Sequence, residues 1–147
     1  MSGKTTSGNF SNNLNFLWSL HDSYNRFFRS SAHIKKGKNV ARCAGDRTVK
    51  SVCNDVIQEI KRLSSSGKPI EVEKLKEILT SLREIIRWHE LGENEGFVIR
   101  ADSRRGIGRL HRNAIIRHLK ALEGQVGNYP VIEQVSVVSF EKKLRRA

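Results

Sequence analysis

The sequence predicts a mainly α protein: a helical hairpin plus a basic amphipathic helix, with a minor two-stranded β element. Apolar residues recur at helical spacing over residues 48–63, 71–91 and 107–122. The first two of these runs are divided by Ser64-Ser65-Ser66-Gly67-Lys68-Pro69, a strong breaker that keeps the flanking helices close together. Strand character is confined to residues 97–100 and 131–140. At 147 residues, the chain fits one domain and can bury roughly 68–70% of its unfolded surface.

Taken in order, residues 1–12 are Ser/Asn/Gly-rich and read as a flexible N-terminal arm. A helix is predicted over 14–29. Phe10, Leu14, Leu17, Trp18, Tyr24 and Phe28 lie near one side of it, and Phe16, Leu20 and Phe27 on another. Six of the ten aromatic residues fall in the first 28 positions, so this helix is either the hub of the core or partly the core of a dimer. Residues 30–47 keep no period and carry Lys35, Lys36, Lys38, Arg42 and Arg47 against one acid, Asp46. They read as a basic loop, in which Gly37 and Gly45 permit turns close to a phosphate.

The hairpin follows. Val49, Val52, Cys53, Val56, Ile57, Ile60 and Leu63 share one face of its first helix, with Asp46 or Thr48 as N-cap. Leu75, Ile78, Leu79, Leu82, Ile85, Ile86 and His89 share one face of its second. Trp88 points away from that stripe. A covering segment of the same chain is the leading explanation, ahead of a subunit contact or a stacking surface. Phe16, Trp18, Phe27 and Trp88 are accordingly the candidates for an oligomer interface. Residues 13–140 form one helical domain in this reading, and 141–147 a basic tail.

The formal net charge is +12, distributed as +7 over residues 1–50, −1 over 51–100 and +6 over 101–147. Two basic ends around a neutral middle point to a polyanion gripped by converging surfaces, of which nucleic acid is the commonest. In the helix predicted over 107–122, Ile107, Leu110, Ala114, Ile115, Leu119, Ala121 and Leu122 gather on one face. Arg105, Arg109, Arg112, Asn113, Arg117 and Lys120 gather on the other, with no acid among them. A surface serving solubility alone mixes signs to gain i,i+4 pairing, so aligned cations incur a repulsion that a bound phosphate backbone relieves. Arg104 and Arg105 precede Gly106-Ile107-Gly108 at the expected helix start, where unpaired N–H groups favour an anion.

Other chemistries fail on spacing. The Gly106-Ile107-Gly108 pattern lacks the third glycine of a dinucleotide fingerprint. His111 and His118, assigned to the apolar face, are two turns apart, about 10 Å, too far to share one zinc unaided. Cys43 and Cys53 form no disulfide framework, and Cys53 sits on a buried stripe. No catalytic constellation, cofactor, small-molecule substrate or membrane span is evident, and the expectation is a non-enzymatic protein. Reduced thiols and the lack of an apolar leader place the expected location inside the cell, in cytoplasm or nucleus.

The function expected is nucleic-acid binding, with RNA favoured over DNA and duplex over single strand. The nucleic-acid-binding residues would be Lys35, Lys36, Lys38, Arg42 and Arg47 of the loop, together with Arg104, Arg105, Arg109, Arg112, Asn113, Arg117 and Lys120. A regulatory or viral accessory protein that sequesters RNA has this profile. The alternatives are a homo-oligomeric assembly module built on the aromatic first helix, and a DNA-binding transcriptional regulator.

Overall fold

The structure is a computed structural model that describes residues 2–28, 48–91, 96–100 and 104–132, with side chains from Phe10 onward. The basic loop residues Lys35, Lys36, Lys38, Arg42 and Arg47, most of the second strand candidate and the 141–147 tail lie outside the described residues. The described residues are mainly helical, in the order α1 (Ser2–Phe28), α2 (Val49–Ser66), α3 (Val72–Glu90) and α4 (Arg112–Gly127).

The α1 helix starts at Ser2 rather than at residue 14. Weak formers such as Gly, Ser and Thr do not start a helix alone, so packing has to supply the stability that propensity lacks. Phe10 provides that anchor: it is 1% exposed and its ring lies 6.0 Å from that of Tyr129. Beyond it Phe16, Leu17, Leu20 and Tyr24 are all buried, which makes α1 the hub of the core.

The hairpin forms where the apolar spacing requires it. Thr48 caps α2, its Oγ1 accepting from Ser51 N at 3.0 Å, a contact generally worth about 1 kcal/mol. Gly67, at φ +61°, closes the helix by donating from its N–H to Leu63 O at 3.1 Å. All seven apolar residues assigned to the inner face of α2 are buried. On α3, Leu75, Ile78, Leu82, Ile85, Ile86 and His89 are buried and Leu79 is half-buried. After α4 the chain returns to the hairpin turn, with Ile70 N donating to Pro130 O and Ile132 N to Ile70 O, while Tyr129 Oη lies 2.7 Å from Lys68 O.

Trp88 is covered by its own chain, at 4% exposure. It packs among Tyr24, Phe27, Phe28, His89 and Phe97, with ring centroids 4.8–6.3 Å away. Phe16 is also buried, at 2%. The other two interface candidates, Trp18 and Phe27, are half-buried.

The β element is reduced to isolated bridges, and no strand occurs among the described residues. Ile99 bridges Leu110 antiparallel, and Val131 bridges Ile70 in parallel, so the two strand candidates meet other partners and not each other at these positions. The Ile99–Leu110 bridge also delays α4. Leu110 exchanges both backbone hydrogen bonds with Ile99, at 2.9 Å each, and is held extended where helix was expected. The helix then runs through Gly124 to Gly127, because Val126, fully buried, adds an apolar anchor beyond the expected end.

No helix of the described residues is long and apolar enough to cross a membrane.

Candidate nucleic-acid interface

The inner face of α4 is formed by Ile115, Leu119, Leu122 and Val126, all buried. At 100° per residue the opposite stripe holds Asn113, Arg117, Lys120, Ala121 and Gly124, and each of these is exposed. Both flanks are occupied. Toward α1, His118 stacks on Phe16 at 4.9 Å, and Asn13 donates to Gln125. Toward α3, Arg83 Nε donates to Glu123 at 2.6 Å, and Lys120 Nζ lies 3.6 Å from Glu90. His111 and His118 are therefore exposed rather than core histidines, since the helix starts later and its buried face is rotated away from them. Ile116 is half-buried against the core.

The arginines of the segment divide into two sets. Arg104, Arg109 and Arg117 are exposed. Arg105 is half-buried and donates from Nη1 to Asp22 Oδ2 on α1 at 2.7 Å. Arg112 donates from Nε to His89 O at 2.6 Å and from Nη2 to Glu90 O at 2.8 Å. Those carbonyls end α3 and have no partner within it, so a guanidinium there satisfies them and offsets the negative end of the helix dipole. Arg112 is thus a cap on α3 before it is a ligand-binding cation. Nothing in the sequence marks Asp22 or the end of α3 as partners, because each lies far along the chain from the arginine it meets.

Acids gather elsewhere. Asp55, Glu59 and Glu77 line a shallow groove between α2 and α3 together with Lys74, whose Nζ lies 3.1 Å from Glu59. Among the described residues no group of three or more His, Cys, Asp or Glu could hold a metal ion. Cys53 is fully buried, its Sγ 3.7 Å from Leu17 O, and burial pushes its thiol far above the ordinary range. It stays protonated and is no nucleophile.

Behind the basic segment lies one buried polar contact. Tyr24 Oη and His89 Nε2 are 2.6 Å apart, and both residues are 0% exposed. Burial, aided by the nearby Arg112 charge, lowers the His89 pKa to about 3. His21 is also lowered, by burial and then by Lys50, with Asp22 opposing. A histidine whose pKa is depressed by folding binds its proton more readily in the unfolded chain. Stability is therefore complete above the unfolded value near 6.5 and is lost as pH falls toward 3. For His89 the acid limb should slope by about 1.4 kcal/mol per pH unit. Denaturant titrations of wild type and His89→Phe between those pH values should differ by that slope; parallel limbs would mean that His89 is not held neutral in the fold.

Comparison with known protein families, curated proteins and solved structures finds no match to this chain.

Proposed function

We propose that this protein binds duplex nucleic acid, RNA in preference to DNA, by neutralising phosphates along the outer stripe of α4 and the arginine segment before it. The observation that carries the reading is the exposed set Arg104, Arg109, Asn113, Arg117 and Lys120, uninterrupted by any acid along α4 until Glu123, which is occupied by Arg83. Within it Arg109 and Arg117 stand exposed among further cations, and a bound polyanion relieves the repulsion between them.

The seating of α4 favours RNA. With α1 contacts on one flank and α3 contacts on the other, the helix is tied to its neighbours on both sides of its exposed face. Reading DNA calls for a helix that projects into the major groove, whereas duplex RNA is recognised by shape across a wide, shallow minor groove. The protein therefore lies on the duplex, and sequence preference is weak.

Salt dependence tests this directly. With Arg104, Arg109, Arg117 and Lys120 each meeting one phosphate, log K against log salt on duplex DNA should fall with a slope of about −3.6 or steeper. An RNA duplex of ~20 base pairs should bind more tightly than DNA of the same length at about 100 mM salt. Absence of binding to either duplex at about 50 mM salt, or binding indifferent to salt, overturns the proposal.

A further inference from the structure

Among the described residues, contacts to α1, to α3 and within the segment itself secure the chain between α3 and α4. Its base is closed by the Ile99–Leu110 bridge. On one side Arg112 grips the carbonyl end of α3. On the other, Arg105 reaches Asp22 of α1, with the two side chains 26% and 39% exposed. Gly106 follows Arg105 with φ +70°, a conformation that L side chains rarely adopt, and it turns the chain back toward the bridge while Arg104 and Arg109 stay exposed.

We infer that Asp22 and Arg105 are a positioning pair, which moors the arginine segment to α1 so that Arg104 and Arg109 meet neighbouring phosphates, and that Arg105 is not itself a phosphate ligand. The inference rests on the reading of this surface as a nucleic-acid interface. For Arg105 to reach a phosphate it must leave a 2.7 Å ion pair, and Asp22 would then stand unpaired beside the polyanion and repel it. Held in place, the pair lowers the ordering cost that a loose arginine loop incurs when it binds.

The two roles of Arg105 predict opposite signs for one substitution. Asp22→Asn raises the net positive charge by one, yet as the loss of a mooring it should weaken binding to an RNA duplex of ~20 base pairs by roughly tenfold. Amide hydrogens of the segment from Gly106 to Arg109 should exchange faster in the same variant. The exchanged pair, Asp22→Arg with Arg105→Asp, should restore both affinity and protection, since it rebuilds the ion pair with its charges reversed. If Asp22→Asn binds as tightly as wild type or more tightly, Arg105 is a phosphate ligand that Asp22 restrains, and the inference is overturned. If the wild-type protein binds no duplex, the proposed function fails, while exchange still judges the pair: unaltered protection in Asp22→Asn rules out a mooring.

Discussion

Replacing Arg109 and Arg117 with glutamate together should weaken duplex binding by at least about a hundredfold at ~100 mM salt, while leaving the helical circular dichroism signal and the melting temperature unchanged. Both residues are exposed, one ahead of α4 and one on its outer stripe. Each reversal removes a phosphate contact and sets an acid against the backbone, and the two together should flatten the salt slope by about 1.8. Exposed substitutions away from caps and buried pairs shift stability by about 0.5 kcal/mol or less, so the fold is an internal control. The same change at Arg112 is a poor test. There a glutamate would face the His89 and Glu90 carbonyls that the guanidinium now satisfies, and lost binding would be inseparable from a loosened junction of α3 and α4. An affinity within about threefold of wild type for the Arg109/Arg117 double variant would mean that α4 does not face the polyanion.

Trp88→Ala should cost about 3–5 kcal/mol, a large part of the ~5–15 kcal/mol typical of a domain, and lower the melting temperature by roughly 10 °C or more. Trp88 fills the space between α1 and α3, edge-on to Tyr24 with centroids 5.5 Å apart and edge-on to Phe97 at 5.7 Å. Its removal leaves a cavity lined by rings that cannot collapse into it, held as they are by helices on both sides. The loss should be the same at every protein concentration. If it grew on dilution, or if the variant melted like wild type, Trp88 would be covering a subunit contact and not the interior of its own chain.

The hairpin was legible in the sequence because its signals are local. Val49 through Leu63 repeat at helical spacing, Thr48 can cap without help from the rest of the fold, and Gly67 stops the helix through its own left-handed backbone. The burial of His89 was legible for the same reason, since it shares a stripe with Leu82, Ile85 and Ile86. The start of α4 was not. Periodicity carried the helix back to residue 107, but Leu110 spends both backbone groups on Ile99, a partner no spacing rule identifies. The same shift moved His111 and His118 out to solvent. The start of α1 differs in the other direction: its first turns look too polar to order, and the seating of Phe10 against Tyr129 anchors the helix just beyond them.

By itself the sequence determined the mainly helical class, the hairpin with its cap and stop, and the separation of positive charge from the neutral middle, for all of these depend on residues within a few turns of one another. The tertiary structure alone decided the use of each arginine. Arg105 and Arg112 are committed to Asp22 and to the end of α3, whereas Arg109 and Arg117 are left to solvent. In the sequence these are equivalent cations on one basic segment. They part because a guanidinium pairs with whichever acceptor the packing of other helices brings within about 3 Å, and that proximity is a property of the assembled fold.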